Sequence, residues 1–374
     1  MRAPTGGLFR HVVDLASGQI ARGHAVGLIL DSRTLTPRSR DLLAVMATQL
    51  ELGVSTIPMS RQPSPADLLT VRHVGFRLRQ LGPEIVHGHG AKGGAYARLA
   101  RAPTAKVRAY TPHGGSLHDS IASSLHNAVE KMLVRSGNLY LFESDFAQKA
   151  FCRKIGRPIG LSKVVHNGLN ASDFEPVASA ANASDLLFLG ELRHLKGIDL
   201  LIDAVAILHS QHRRVTVSIV GDGRDLAQLQ GRVSELNLSH AIHFHASMSA
   251  RAAFQLGRIV VVPSRAESLP YVVLEAAAAG KPVISTHVGG IPEIFGASVD
   301  ELVPPDNAPI LAEKIAQAIS EPAKTQEQAQ RLRARVASSF TADSMVDGVL
   351  SAYQQALATQ LEYDRPVAPI LAHE

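Results

Sequence analysis

Short apolar, β-rich runs take turns with helical stretches from Leu8 to Ser285, and this alternation restricts the fold more than any other feature. Leu8–Arg22 reads as an amphipathic helix and Ala25–Leu30 as a buried strand. Pro65–Leu81 reads as a helix with Leu68, Leu69, Val71, Val74, Leu78 and Leu81 on or near one face. Glu84–Gly88, Val107–Thr111 and Leu139–Phe142 read as strands. The small, polar, proline-bearing segment Glu175–Asp185 then reads as a linker. Beyond it the alternation restarts. Strands are expected at Leu186–Leu189, Val215–Val220, Ile242–His245, Ile259–Val262 and Pro282–Ser285, and helices at Gly197–His209, Arg224–Leu236, near Ala250–Leu256 and at Tyr271–Ala279. Strands that alternate with helices pair in parallel, because each crossover needs a helix to return. The expectation is α/β: two doubly wound Rossmann-like domains facing a cleft, with ligands at the carboxyl ends of the strands.

One element is out of place. A doubly wound domain opens with a strand, and its glycine loop follows. Here the loop Thr5-Gly6-Gly7 has only Met1–Pro4 before it. The first N-terminal strand is therefore expected to be missing, with the true start upstream and Met1 an internal start.

Composition narrows the class. At 45% hydrophobic and 19% charged residues, 374 residues suffice for two cores. No apolar run approaches the ~20 residues that span a bilayer. Residues 1–10 lack the apolar core of a signal peptide. The single cysteine, Cys152, rules out an internal disulfide and suits a reducing, cytoplasmic setting. Charge is unevenly spread: residues 1–177 carry 22 Lys and Arg against 12 Asp and Glu, a net +10, and the remainder carries a net −5. A basic first half suits an acidic partner such as an anionic lipid surface or a phosphate-bearing acceptor. Nucleic acid is the weakest partner, since there is no Trp and no basic–aromatic interleaving to stack bases.

The segment Pro263–Gly280 (PSRAESLPYVVLEAAAAG) carries the strongest chemical signal. A strand ends at Pro263, Glu267 lies in the following loop, and Pro270 marks the first turn of a helix. A helix N-terminus offers free N–H groups and a positive dipole end to a diphosphate. Glu267 and Glu275 could flank such a ligand, and carboxylates accept hydrogen bonds from sugar hydroxyls. A simpler reading makes Glu267 a helix cap and Glu275 a solvated helix residue. In LLFLGELRHLKG, Gly190 ends a strand, and Arg193 and Lys196 lie where a loop enters a helix. They are either neutralisers of a leaving diphosphate or plain surface charges. Gly221-Asp222-Gly223 is an incomplete dinucleotide fingerprint and reads as a turn. His87 and His89 end one strand and His113 ends the next. No complete metal-ligand set accompanies them.

Taken together and in order, these pieces resemble the retaining glycosyltransferases of the GT-B fold, family 4, of the bacterial envelope or exopolysaccharide type. The resemblance runs from Thr5 to about Leu357. Its most specific element is the Glu267–Glu275 spacing within ESLPYVVLEAAAAGKPVISTHVGGIPEI, supported by ARGHAV, EIVHGHG, YTPHG, ESDFAQ, VVHNGLNASDF and LGELRHLKG. It implies that Glu275 holds the donor ribose and that Glu267 meets the donor sugar. Leu269, Tyr271, Val272 and Val273 would meet the diphosphate through backbone groups, with Gly190 beside them. Lys196 would neutralise the leaving group, His113 would face the sugar, and Gly6 and Gly7 would close over the phosphates. It also implies domains 1–176 and 177–340, a helix 341–358 returning to the first, and a tail 359–374. The family commonly has Arg where this chain has Glu191, and Arg193 is the candidate substitute.

The expected reaction moves a hexosyl group from a nucleotide-diphosphate sugar to a lipid-linked or saccharide acceptor, with no cofactor and no metal. The acceptor side would lie near the inner face of the plasma membrane, reached through Ser120–Arg135 and through Arg72, Arg77 and Arg79. A nucleotide-sugar 2-epimerase of similar fold remains open, as does a non-catalytic sugar-binding protein; donor turnover separates the latter from both enzymes.

Overall fold

The computed structural model describes residues 1–114 and 121–363. The chain forms two compact units. The first comprises Met1–Glu143, Gln148–Val165 and the chain from Met345 onward; the second comprises Ser144–Ala147 and His166–Ser344.

The first unit contains β1 (Leu28–Asp31), β2 (Val54–Ile57), β3 (Ile85–His89), β4 (Val107–Thr111), β5 (Leu139–Phe142) and β6 (Leu161–Val164). Between them run α1 (Gly6–Ala21), α2 (Pro37–Ala47), α3 (Ala66–Leu81), α4 (Gly90–Leu99) and α5 (Ile121–Leu133), with α6 (Asp145–Lys154) before β6. All pairings are parallel, yet the strands fall into two sheets: β1 with β2, and β3-β4-β5-β6. No strand precedes α1 among the described residues.

The helical periodicity of α3 is real, but its buried set differs from the expected stripe. Thr70, Val74, Gly75 and Leu78 face inward, whereas Leu68 and Leu69 are exposed. Gly75 lies on that buried side, where a β-carbon would stand 3.1 Å from Arg101 N. The first strand begins later than expected, at Leu28. Gly27 lies against Leu52 and Gly53, where a side chain would collide.

The second unit contains β7 (Ser184–Leu189), α7 (Ile198–Ser210), β8 (Val217–Val220), α8 (Leu226–Glu235), β9 (Ile242–His245), α9 (Ala250–Ala253) and β10 (Gly257–Val262). Then come α10 (Tyr271–Ala278), β11 (Val283–Ser285), α11 (Ile291–Phe295), α12 (Ala308–Ser320) and α13 (Pro322–Ser339). Its parallel sheet has the order β11-β10-β7-β8-β9. The central strands are apolar on both faces, as a sheet covered on both sides requires. Leu186 and Phe188 face one core with α7 and α12, and Leu187 faces the other with α10 and α13.

The boundary at 176/177 is displaced to 165/166. The polar stretch after it hides an apolar anchor, Leu169, which is buried in the second core, and Phe174 packs against the same core. Its N–H donates to Phe340 O (2.9 Å), and its carbonyl accepts from Ala342 N (2.8 Å). Residues 166–176 therefore belong to the second unit. The last helix, α14 (Ala342–Tyr363), begins in the second unit and packs Met345, Val346, Val349 and Ala352 on the first unit's core. The tail expected from 359 lies outside the described residues from 364 onward.

Candidate active site

Crossovers after β7 carry the chain to β8 and β9 on one side, and later ones carry it to β10 and β11 on the other. The loops leaving β7 and β10 therefore diverge and leave a crevice at their carboxyl ends, the position where open α/β sheets take ligands. At the base of the crevice, glycine lets neighbouring loops approach closely. Gly197 has φ +69, and a β-carbon there would sit 1.9 Å from Pro263 O at the end of β10. Gly221 has φ +150, and a β-carbon there would sit 1.9 Å from Gly190 O at the end of β7.

The crevice brings Lys196 and Glu267 together. Lys196 Nζ lies 2.6 Å from Glu267 Oε1, and Ser264 Oγ donates to the same oxygen at 2.7 Å. Ser264 is wholly buried. The Lys196 and Glu267 side chains are 19% and 8% exposed, so the pair is shielded from bulk water yet reachable from the crevice. Glu267 is thus not a helix cap: its carboxylate is held by a cation and a hydroxyl.

Arg265, which the sequence reading passed over, fixes the two loops to each other. Its guanidinium makes two bonds of 2.7 Å to the Asp199 carboxylate, one of 2.6 Å to Asp306 and one of 2.7 Å to His194 O. Its own N–H donates to Leu195 O (2.9 Å). Burial pushes the Asp199 carboxyl up, but the bonds and charge of Arg265 outweigh this and hold it below its ordinary value. An Arg two residues before a candidate carboxylate, with an Asp three residues after a candidate lysine, was the available signal.

The N-terminus of α10 follows. Pro270 stands at the cap and brings no side-chain acceptor to the helix. The first-turn N–H groups of Tyr271, Val272 and Val273 are those a helix leaves without intrahelical partners. Glu275 lies one turn in and is half-buried. Leu269 is buried, and its carbonyl accepts from Asn167 Nδ2 at 2.8 Å, which fixes the approach to the helix. Arg193 lies 3.1 Å from Glu191, so the two residues of the departure from the family pattern are paired with each other.

In the first unit, Gly6 (φ +63) opens α1, and Gly7 follows in its first turn. His113 holds φ +53, a strained value for a side-chain-bearing residue. Its Nε2 lies 3.0 Å from His89 Nδ1, and its ring meets His11 edge-on at 4.8 Å between centroids. His87 joins the row, bonding Tyr353 Oη (2.7 Å) and Thr111 Oγ1 (2.8 Å). Burial, then neighbouring imidazoles, pushes His89 and His113 well below the ordinary histidine value, and burial pushes His87 down to about 3. These rings are neutral at pH 7. The ring nitrogens of His11, His89 and His113 lie within 4.8 Å of one another, a spacing a metal could use. The 3.0 Å contact within the trio is, as it stands, a hydrogen bond. His11 was not foreseen, although its place beside Val12 and Leu15 on the buried face of α1 was visible in the sequence.

Two family models cover this architecture in tandem: Glycosyltransferase Family 4 over residues 5–173, and Glycosyl transferases group 1 over residues 171–336. The chain belongs to glycosyltransferase family 4. The glycosyltransferase is 26% identical to glycogen synthase of Mycobacterium tuberculosis, over 98% of this chain and 95% of that one. It is 27% identical to the phosphatidylinositol N-acetylglucosaminyltransferase gpi3 subunit of Schizosaccharomyces pombe, over 80% of this chain and 67% of the relative. Its fold matches sucrose-phosphate synthase from Thermosynechococcus elongatus (TM-score 0.78, 22% identity, 96% of this chain and 95% of that chain). It also matches Anabaena Alr3699/HepE in complex with UDP and glucose (TM-score 0.78, 21% identity, 94% and 96%). The glycosyltransferase is therefore a GT-B enzyme, and the non-catalytic sugar-binding reading falls away. No helix among the described residues is long and apolar enough to cross a membrane.

Proposed function

We propose that this glycosyltransferase moves a hexosyl group, with retention of anomeric configuration, from a nucleotide-diphosphate sugar to a lipid-linked or saccharide acceptor in bacterial surface polysaccharide synthesis. The observation that carries the reading is the Lys196–Glu267 pair at the β7/β10 switch point, beside the N-terminus of α10. A diphosphate seated on Tyr271–Val273 brings negative charge to the positive end of the helix. Glu275 takes the ribose hydroxyls and Glu267 those of the donor sugar. Gly190 leaves room for the nucleotide.

As the bond between the anomeric carbon and the phosphate oxygen breaks, charge grows on the diphosphate. Lys196, Arg193 and the helix N-terminus stabilise it. The acceptor oxygen then bonds to the anomeric carbon from the face the diphosphate leaves, and its proton passes to the departing phosphate. Lys196 enters this step only by exchanging Glu267 for phosphate, so the resting pair is a latch that the donor opens. The positive charge comes from side chains and backbone, so the reaction is proposed to need neither metal nor cofactor. On the family resemblance, His113 is assigned to the donor sugar and Gly6 and Gly7 to the phosphates.

The acceptor is proposed to be met at the inner face of the plasma membrane, on the cytoplasmic side. Helix α3 supports this, exposing Leu68, Leu69 and Phe76 beside Arg72 and Arg79. Arg77 is partly tied to Ser55 and Gln80. Part of the other expected lipid contact, Ser120–Arg135, lies outside the described residues.

The test is thermal unfolding with a panel of UDP-, GDP- and ADP-sugars, comparing the parent with Glu275→Ala. Uridine donors come first, because the Anabaena relative was seen with UDP and glucose. Donor at 100 times its Kd adds about 2.7 kcal/mol, a shift of roughly 5–10 °C for a unit of this size. One nucleotide class is expected to shift the parent and not the variant. No shift with any nucleotide would overturn the donor assignment. Release of a free epimer without acceptor would replace transfer by epimerisation.

A further inference from the structure

Imidazoles gather at the carboxyl ends of β3 and β4 in the first unit, and they do not all play the same part. His87 has both ring nitrogens committed, one to Tyr353 Oη and one to Thr111 Oγ1. Its ring lies 4.0 Å from that of His89, tilted by 36°, and backs it. His11, His89 and His113 instead each bring a nitrogen into one small space, within 4.8 Å of one another.

Separate elements deliver those nitrogens. His11 stands on the buried face of α1 with Phe9 and Val12. His89 is the last residue of β3, in register with Thr111 at the end of β4. His113 follows Thr111 by two residues, at φ +53, with its Nε2 3.0 Å from His89 Nδ1. His11 and His89 are buried and His113 is partly exposed, so the group is held firmly at two corners and reachable at the third.

The donor set selects its ligand. It offers nitrogen, and no carboxylate joins the group among the described residues. Magnesium and calcium take oxygen ligands, whereas imidazole suits zinc and its first-row neighbours. Three protein ligands with water in the fourth position make an open zinc site. Zinc–nitrogen bonds of about 2.0–2.1 Å in tetrahedral geometry put the ligand nitrogens ~3.3 Å apart. The His89–His113 pair, at 3.0 Å, is already near that value. A separation of 4.8 Å reaches it by about 1.5 Å of ring movement. No proton is lost in the process. The proton between His89 and His113 moves to the other nitrogen of its own ring, and the metal takes the two lone pairs.

We infer that His11, His89 and His113 form a binding site for a divalent first-row transition metal, zinc foremost, and that the bound ion inhibits the transferase. The ion ties the His113 imidazole to α1 and β3. The inhibition rests on the proposed placement of His113 at the donor sugar; the binding does not. The ion takes no part in transfer, whose positive charge comes from Lys196, Arg193 and the start of α10.

The test uses the full chain without a polyhistidine tag, since its 17 histidines already include competing ligands. Cobalt(II) alone is the first probe. The parent is expected to bind one ion per chain with the intense visible absorption of four-coordinate cobalt, and zinc is expected to displace it. His11→Leu and His11→Gln are each expected to abolish that band and to weaken binding by more than about 100-fold, because even the partners behind a ligand are worth 10–100-fold. Melting temperature and metal-free donor turnover, both expected near parental values, report that the variants are folded. Zinc is expected to suppress turnover by the parent and a chelator to restore it, whereas magnesium and calcium change nothing. Turnover by the His11 variants is expected to resist zinc. No four-coordinate band in the parent, or an equal band in folded His11 variants, would overturn the site. A band lost in the variants, with parental turnover indifferent to zinc, would keep the site and overturn its inhibitory role. A parent that turns over no donor defeats the proposed function instead, and the cobalt titration still decides the site.

Discussion

Replacing Gly197 by alanine tests whether loop convergence at the switch point governs catalysis. The added β-carbon would sit 1.9 Å from Pro263 O, whereas ordinary contact begins at 3.4 Å. The loop after β7 or the end of β10 must therefore yield by more than 1 Å. The φ of +69 adds about 1–2 kcal/mol for a residue with a side chain. The overlap adds about 1–3 kcal/mol for forced backbone movement. A loss of about 2–5 kcal/mol follows. Lys196 is the adjacent residue, so the same movement carries its ammonium away from Glu267 and from the place assigned to the diphosphate. Misplacement by about 1 Å typically costs 10²-fold in rate. Gly280→Ala is the control: its φ is +76 and nothing lies within 4 Å of the new atom. It should show the backbone cost of about 1–2 kcal/mol and near-parental turnover. The assay is calorimetric unfolding together with kcat/KM for donor turnover. If Gly197→Ala and Gly280→Ala lose equal stability and both retain parental kcat/KM, convergence at Gly197 does not set the geometry of the site.

Arg98 and Glu130 form a buried pair at 2.8 Å, with Tyr110 donating to the same carboxylate at 3.0 Å. Glu130→Ala should cost about 3–5 kcal/mol, whereas Arg98→Met with Glu130→Leu should recover most of it, read by denaturant unfolding. Arg265→Leu removes what holds Asp199 below its ordinary value. A depressed carboxyl stabilises the fold above its unfolded value of 3.8 and loses that contribution as pH falls through the folded value. The stability gap between parent and variant should therefore narrow below about pH 4, in urea titrations across pH. Lys281, bonded to Ser179 Oγ (2.7 Å) and Gly257 O (3.0 Å), is lowered by burial from 10.5 to about 8. The folded state binds fewer protons than the unfolded between those values, so stability should rise from pH 8 to 10.5 in the parent relative to Lys281→Met.

The strands were the most legible part of the sequence. Val107–Thr111 and Leu139–Phe142 have the bounds read from it, because buried parallel strands are apolar on both faces and end abruptly at turn residues. Residues held by tertiary partners were not legible. Leu169 lies in the polar stretch just ahead of the segment read as linker, and Phe340 and Ala342, some 170 residues on, turn it into an anchor. Leu68 and Leu69 were read near the helical stripe of α3, yet the buried face runs through Thr70, Val74 and Leu78, and they stand outside it. In the site, Lys196, Glu267 and the start of α10 were visible because strand ends, glycines and prolines mark them. Arg265 was not, because its partners Asp306, Asp199 and His194 lie 41, 66 and 71 residues away in the chain. The Glu191–Arg193 pairing was likewise hidden, since charges two apart in a loop carry no periodic signature.

Helix α14 has a consequence for how the protein is made. Asp347 reaches Arg22 at 2.7 Å and Tyr353 reaches His87 at 2.7 Å, contacts 325 and 266 residues apart in the chain. Val107, Ala109, Leu139 and Leu141 are covered by Met345, Val346 and Val349. On the ribosome, everything else in the first unit emerges before the second unit is translated. At about 5–20 residues per second its apolar face waits on the order of 10–40 s for its cover. The first part of the molecule to be synthesised is thus the last to be finished, and a nascent chain stalled before residue 345 presents that face to whatever chaperone or neighbouring chain arrives first.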